Sequence, residues 1–133
     1  MAFKWLIRVY YEDTDAGGVV FYANYLKFFE RARTEMLREM GYEQDELMAQ
    51  AGIIFVVRSV QLEYLYPARF NQLLTVSAAL SEVKNASLTF KQEITHNNAL
   101  LCTGMIRVAC LDSATMRPKA IPTYLREQLK HEH

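Results

Sequence analysis

"YLKFFERARTEMLREMG", residues 25–41, carries a helical period that decides how the rest of the chain folds. Large apolar side chains recur three or four positions apart, and charged side chains take the positions between them. This spacing predicts one long amphipathic helix that begins near Tyr25 and stops at Gly41. Its apolar face comprises Tyr25, Phe28, Phe29, Ala32, Met36 and Met40. Such a face has to pack on another layer, which the remaining sequence must supply.

The segments on either side of the helix have the period of strands. Residues 5–11 are rich in β-branched and aromatic residues, which predicts a first strand that ends in an acidic, glycine-containing loop. After Gly52 the pattern stays strand-like to residue 112, and Leu88, Phe90, Gln92 and Ile94 share one face of a strand there. The other predicted features are a short helix at 43–50, a turn at 84–86, a last strand at 100–112 and an amphipathic tail at 123–129.

This order of elements predicts an α+β fold in which an antiparallel sheet packs around one central helix. The chain has 133 residues, 51% of them hydrophobic and 23% charged, and no linker-like tract divides it. We therefore expect residues 1–133 to form a single domain. A sheet with one such helix leaves much surface uncovered, so we also expect a dimer or a larger assembly.

Charge and cysteine usage exclude several classes of function. Fifteen basic residues balance fifteen acidic ones, so nothing indicates a protein that coats nucleic acid or an anionic membrane. Lys4 and Arg8 interrupt the apolar start, which fits neither a signal-peptide core nor a spanning helix, and we expect a cytoplasmic protein. Cys102 and Cys110 fall on one predicted strand about 26 Å apart, too far to bridge, and are expected to be core residues.

The usual catalytic motifs are missing from the sequence. We find no G-x-S-x-G, H-E-x-x-H, C-x-x-C, P-loop or G-x-G-x-x-G motif, and we expect neither a metal nor a cofactor. Only three histidines are present, at a predicted strand end and in the terminal tail. If the protein is an enzyme, a carboxylate must do the chemistry.

The acidic loop before the helix is the candidate. Asp15 precedes Ala-Gly-Gly, and apolar Val19 and Phe21 follow. One interpretation is an ordinary turn, with Asn24 as the N-cap of the helix. The other is a hydrolytic site, because a carboxylate beside apolar surface would lie near the free N–H groups and positive dipole end of the helix. The local signals leave both open.

The same residues resemble a known family. Residues 11–25 follow the pattern Y-x-D-T-D-A-G-G-V-V-[FY]-x-A-x-Y, and F-x-E-R-A-R-T-E-x-L follows at 28–37. These motifs resemble the YbgC-type acyl-CoA thioesterases of the Tol-Pal gene cluster, in the 4-hydroxybenzoyl-CoA thioesterase group of hotdog-fold proteins. Further matching stretches are FVVR at 55–58, EY at 63–64, PAR at 67–69 and MRPKAIP at 116–122.

The resemblance implies a hotdog fold, hydrolysis of acyl-CoA thioesters and active sites at the interface of a homodimer or homotetramer. It implies that Asp15 is the nucleophile or the base for a water, and that the backbone N–H of Tyr22 polarises the thioester carbonyl. Glu12 and Asp13 are then structural. The relatives usually carry His where this chain has Tyr22, so a mechanism that needs an imidazole is in doubt here.

The resemblance also implies substrate contacts. Gly18 and Val19 would contact the substrate next to Asp15. The CoA phosphates need a basic site mouth, and the resemblance places it at Lys84, Ser87 and Lys119. Alternatively, Lys84 is an ordinary turn residue and the 116–122 loop only ends the last strand. The acyl carrier could be CoA or acyl carrier protein.

Two other classes of function compete with the thioesterase. A hotdog dehydratase or hydratase would want an Asp and a His near the helix start, yet no His occurs between residues 1 and 95. A non-catalytic subunit that binds acyl-CoA or acyl carrier protein for the envelope or phospholipid machinery is the stronger rival, and the absent His favours it. Release of free thiol from acyl-CoA would separate the alternatives.

Overall fold

The computed structural model describes residues 2–132 and contains a five-stranded antiparallel sheet with three α-helices in that range. The order of strands and helices is the one predicted from the sequence. In chain order the elements are β1 (Phe3–Arg8), a 3₁₀ turn (Tyr11–Asp13), α1 (Asn24–Glu39), α2 (Gln44–Ala51), β2 (Ile53–Tyr64), β3 (Leu73–Val83), β4 (Ser87–His96), β5 (Ala99–Asp112) and α3 (Thr123–Glu132).

The strands lie in the order β1-β3-β4-β5-β2, and every neighbouring pair is antiparallel. Strands β3, β4 and β5 form the centre through two hairpins, the first of which turns at residues 84–86 as predicted. Strands β1 and β2 are therefore the two edges. At six residues β1 is short, whereas β2 runs for twelve.

Helix α1 lies across the inner face of this sheet. Phe28, Phe29 and Ala32 are fully buried, together with Phe90 and Ile94 on the sheet side. Burying one such large side chain contributes roughly 1.5–3 kcal/mol, so this layer is a main source of stability. The predicted inward face of β4 is confirmed, including the polar Gln92, which is 0% exposed.

Two local predictions were wrong. The first strand ends at Arg8 instead of residue 11, because Tyr11–Asp13 form a 3₁₀ turn. In that turn the N–H of Asp13 donates to the carbonyl of Tyr10, and the N–H of Tyr10 donates to Oδ2 of Asp13. Asn24 is not the N-cap of α1. Ala23 holds that position, and Asn24 is the first helical residue, with a buried side chain that bonds elsewhere.

Both cysteines lie on β5, are buried and are not paired, as the sequence predicted. Burial disfavours the charged thiolate, which raises the pKa of Cys102 to about 12 and that of Cys110 to about 11. Neither thiol is a nucleophile near neutral pH. Between residues 2 and 132, none of the helices combines the length and the apolar character needed to cross a membrane.

Candidate active site

The loop between β1 and α1 is organised by Asp13. This residue is buried, and its Oδ2 accepts a hydrogen bond from the backbone N–H of Tyr10 at 2.8 Å. Its carbonyl accepts from the N–H of Phe21 at 3.0 Å and from Nδ2 of Asn24 at 2.9 Å. Asp13 therefore connects Tyr10, at the start of the loop, with Phe21 and Asn24, at the start of the helix.

Asp15 lies in a tight turn that presents its carboxylate to solvent. Oδ1 accepts from the N–H of Gly17 at 2.8 Å, and the carbonyl of Asp15 accepts from Gly18 at 3.1 Å. Gly18 has φ of 77°, a left-handed conformation that favours glycine. The N–H of Asp15 donates to the carbonyl of Val19 at 2.9 Å, which closes the turn. The sequence placed Asp15 against apolar surface, but within one chain the residue is exposed.

Tyr22 lies just before α1. Among the hydrogen bonds of residues 2–132, none uses its backbone N–H as donor. Its carbonyl accepts a hydrogen bond from the hydroxyl of Tyr64 at 2.9 Å, and its own side chain is 65% exposed. The hydroxyl of Tyr64 thus holds the carbonyl of Tyr22, while the N–H of Tyr22 has no acceptor among residues 2–132. An N–H group that is held in place and lacks an acceptor can donate to a carbonyl oxygen and polarise it.

An aromatic pocket of about 260 Å³ adjoins Tyr22. Tyr25 and Tyr64 pack edge to face with ring centroids 5.2 Å apart, and the hydroxyl of Tyr25 accepts from the N–H of Ala68 at 2.9 Å. Burial raises the pKa of both hydroxyls, which keeps them protonated. The remaining lining residues are Val20, Leu65, Tyr66 and Pro67. Sequence reasoning missed Tyr64 as a site residue, although the EY stretch marked its position.

The residues expected to bind the CoA phosphates lie together at one end of the sheet. Exposed Lys84 is in the β3–β4 turn with Nζ 3.4 Å from Glu82, and Ser87 begins β4. Lys119 donates from Nζ to the carbonyl of Ala51 at 3.1 Å. Backbone bonds join these segments, because Cys110 donates to Ala86 and accepts from Lys119.

The catalytic candidates lie at the other end. Tyr64, which contacts Tyr22, pairs with Cys102 on β5, whereas the lysines surround Cys110. Eight residues of strand separate these two points by about 26 Å. One chain therefore has Asp15, Gly18, Val19 and Tyr22 on the same loop, at the opposite end of the sheet from Lys84, Ser87 and Lys119.

The histidines and carboxylates of the described residues are dispersed. Across residues 2–132, no three side chains of His, Cys, Asp or Glu are grouped so that they could hold a metal ion. His96 ends β4 and His131 lies in α3, while His133 is outside the described residues. The groups that this loop and its surroundings present are the exposed carboxylates of Glu12 and Asp15, backbone N–H groups and tyrosine hydroxyls.

Comparison with known proteins identifies the family. The profile of the thioesterase-like superfamily matches residues 9–129. The chain belongs to this superfamily. It is 43% identical over 129 residues to the acyl-CoA thioesterase YbgC of Haemophilus influenzae, covering 97% of this chain and 95% of that protein. It is 44% identical over 129 residues to the acyl-CoA thioester hydrolase YbgC of Escherichia coli O6:H1, with 96% of each chain covered.

Solved structures of this superfamily agree with the fold. A probable thioesterase from Bartonella henselae superimposes with a TM-score of 0.88 at 34% identity, covering 92% of this chain and 100% of that one. The hotdog fold and the YbgC-type resemblance expected from the sequence are confirmed.

Proposed function

We propose that the protein hydrolyses an acyl-CoA thioester to the free acid and CoA. The observation that carries this proposal is the presence, on one loop before α1, of an exposed Asp15 carboxylate and of a Tyr22 backbone N–H for which no acceptor is found among residues 2–132. A carboxylate and an oriented amide are the minimal parts of an acyl-transfer site. The YbgC relatives, named as acyl-CoA thioesterases, support the choice of substrate class.

In this mechanism the thioester oxygen accepts a hydrogen bond from the N–H of Tyr22, which stabilises negative charge on that oxygen as the carbonyl carbon is attacked. Asp15 acts in one of two ways. As a base, it removes a proton from a water that attacks the carbonyl carbon. As a nucleophile, it forms a mixed anhydride that water then hydrolyses. In both routes the carbon–sulfur bond breaks and CoA leaves as a thiolate that takes up a proton.

The sheet edge supports a dimer as the working unit. Strand β2 has sheet hydrogen bonds on one side only, and Val57, Val60 and Tyr64 along it are 50%, 42% and 48% exposed. A long exposed edge with apolar side chains is a template for another strand. The opposite edge, β1, is short and carries Lys4 and Arg8, which oppose such pairing. We therefore propose that two copies pair through β2, and that a homotetramer would consist of two such dimers.

Pairing through β2 also brings the separated residues together. Two identical strands related by a two-fold axis run antiparallel, so the Ile53 end of one lies beside the Tyr64 end of the other. Lys119 approaches the Ile53 end, since its Nζ bonds the carbonyl of Ala51. In the dimer, Lys84, Ser87 and Lys119 of one subunit would lie near Asp15 of the other, where CoA phosphates can reach them while the thioester reaches Asp15.

The location follows from the chemistry of the substrate and of the thiols. CoA thioesters are intracellular metabolites, and the protein keeps two unpaired cysteines, which suits a reducing compartment. We propose a cytoplasmic enzyme. Immunoblots of fractionated cells test the location, and a signal confined to a secreted or periplasmic fraction would contradict it.

The decisive test of the catalytic proposal is Asp15→Asn, which preserves shape and removes the base. Turnover with a panel of short, long and aromatic acyl-CoAs should fall about 10²- to 10⁴-fold, or roughly 3–5 kcal/mol in the barrier. Glu12→Gln is the matched control, because Glu12 is an exposed carboxylate on the same loop. Release of CoA thiol and thermal melting are measured on both variants. Wild-type turnover in Asp15→Asn, or a loss explained by unfolding, would make Asp15 a loop residue.

Isotope labelling detects a nucleophilic Asp15 whose anhydride is hydrolysed at the aspartyl carbon. In a single turnover with enzyme in excess in ¹⁸O-water, a general base delivers ¹⁸O directly to the product acid. A nucleophilic Asp15 instead leaves the first product unlabelled when water attacks the aspartyl carbon, and the label appears in the side chain of Asp15. Mass spectrometry of the acid and of the peptide that contains residue 15 reads both outcomes.

A further inference from the structure

The backbone N–H groups at the start of α1 divide into bonded and unbonded ones. The N–H of Phe21 donates to the carbonyl of Asp13 at 3.0 Å, and that of Asn24 donates to the carbonyl of Phe21 at 2.8 Å. Between them, the N–H groups of Tyr22 and Ala23 have no acceptor among the described residues. Ala23 has helical dihedral angles, and the N–H groups of a first helical turn point away from the helix body. The helix start therefore has two free donors in succession, and the sequence indicated only the first.

Tyr64 fixes the orientation of the second donor. Its hydroxyl donates to the carbonyl of Tyr22 at 2.9 Å, and this carbonyl belongs to the same peptide group as the N–H of Ala23. A peptide group is planar, so a hydrogen bond that holds its oxygen also holds the direction of its N–H. The same bond polarises the group, because hydrogen bonds in a chain strengthen one another. Tyr64 thus orients the N–H of Ala23 and makes it a stronger donor.

The side chain of Tyr64 is itself held in place. Its backbone pairs with Cys102 on β5, and its ring packs edge to face on the ring of Tyr25, with centroids 5.2 Å apart. Tyr25 is in turn fixed, since it is 3% exposed and its hydroxyl accepts from the N–H of Ala68 at 2.9 Å. Burial raises the pKa of the Tyr64 hydroxyl, so that it remains a donor at neutral pH. The donor is therefore constrained before any substrate binds.

We propose that Tyr64 is a positioning residue for thioester hydrolysis and makes the N–H of Ala23 a second donor to the thioester oxygen, beside the N–H of Tyr22. This inference rests on the proposed function, because it completes the group that binds the oxygen in that reaction. Tyr64 acts here through the peptide group between Tyr22 and Ala23. Negative charge on the oxygen grows as the carbonyl carbon is attacked, so two oriented donors stabilise the transition state more than the ground state.

Tyr64→Phe tests the proposal, because it removes the hydroxyl and keeps the ring. Loss of a whole oxyanion donor lowers kcat about 10²- to 10³-fold; this variant keeps the N–H of Ala23 but no longer holds it, so we expect a fall of roughly 10- to 10²-fold. KM should change less than about threefold, since the loss falls on the transition state.

Tyr42→Phe is the matched control. It also removes one tyrosine hydroxyl bond, to Oε1 of Gln128 at 2.7 Å, but Tyr42 lies beyond the far end of α1. Thermal melting should show a similar loss of stability in both variants, because each loses one hydrogen bond. Only Tyr64→Phe should lose turnover.

The carbonyl stretch of a bound thioester measures the polarisation directly. The probe is the acyl-CoA of the panel that binds most tightly to Asp15→Asn, with ¹³C at the carbonyl, and difference infrared spectroscopy reads its frequency. Donors to the carbonyl oxygen lower this frequency. The lowering should shrink when Tyr64→Phe is added to Asp15→Asn and should persist when Tyr42→Phe is added. A purely structural Tyr64 would change the melting temperature without moving this band.

The outcomes separate this inference from the proposed function. Wild-type kcat in Tyr64→Phe, a loss confined to KM, or an unmoved carbonyl band would overturn the role of Tyr64. Release of CoA thiol by the wild-type protein is measured alongside. Hydrolysis with an unmoved band refutes the role of Tyr64 alone, whereas a band that moves in a protein without hydrolysis refutes the proposed function alone.

Discussion

Replacement of Gln92 by leucine tests how the sheet and the helix are joined through a polar group. Gln92 is fully buried on β4 and makes three hydrogen bonds. Its Nε2 donates to the carbonyls of Phe29 at 3.0 Å and Ser77 at 3.1 Å, and its Oε1 accepts from Arg33 at 3.0 Å. The variant Gln92→Leu keeps a similar volume and removes all three bonds at once.

The expected size of the effect follows from these bonds. Each bond to a neutral carbonyl contributes about 0.5–1.5 kcal/mol, and the bond to the charged guanidinium about 1.5–3 kcal/mol. Burial of the leucine side chain recovers part of the total, roughly 1–2 kcal/mol. We expect a net loss of about 2–4 kcal/mol in the free energy of unfolding, chiefly because Arg33 is left buried without an acceptor.

Urea unfolding followed by circular dichroism measures this loss, at one protein concentration because the stability of an oligomer depends on it. Lys91→Leu is the control, an exposed position on the same strand that should change stability by less than about 0.5 kcal/mol. The double variant with Arg33→Met should lose less than the sum of the two single variants. Equal stability of Gln92→Leu and Lys91→Leu, or strict additivity, would refute the reasoning.

Three further predictions concern other parts of the molecule. Lys84→Ala should raise KM for acyl-CoA at low salt with kcat unchanged, because uniform binding to a phosphate is lost; an unchanged KM would remove Lys84 from the site. Gly104→Ala should cost about 1–3 kcal/mol in thermal or urea unfolding, since its Cβ would lie 2.8 Å from Leu62; a neutral result would mean that the layer adapts. Cys102 and Cys110 should resist Ellman's reagent at pH 8 in the folded protein and react in urea. Since burial raises both pKa values, the unfolded state loses these protons first, and stability should fall as pH rises from about 9; thiols that react in the native protein would contradict this.

The features that could be predicted from the sequence are those that depend on local periodicity. The apolar face of α1, the inward side of β4 and the β3–β4 turn all follow from side chains that are neighbours in sequence. Motif resemblance added the hotdog fold and the identity of the candidate loop. The early end of β1 escaped prediction because Tyr10 and Tyr11 are residue types typical of a strand, whereas the Asp13 carboxylate bonds the N–H of Tyr10 and fixes a turn there.

The other features that the sequence did not predict depend on contacts between segments that are distant in the chain. The hydroxyl of Tyr64 bonds the carbonyl of Tyr22, and Gln92 joins Arg33, so each partner is identifiable only when the strand register is known. The helix start illustrates the same limit. Asn24 is a residue type typical of an N-cap, but its Nδ2 donates to the carbonyl of Asp13, because the buried Asp13 offers that acceptor.

The opposite placement of Asp15 and Lys119 along the sheet also has a genetic consequence. In a dimer joined through β2, each active site takes its carboxylate from one chain and its lysines from the other. Two alleles, one damaged at Asp15 and one at the lysine end, would therefore complement each other in the same cell. Every mixed dimer contains one site in which both the carboxylate and the lysines are intact. Its second site contains both defects.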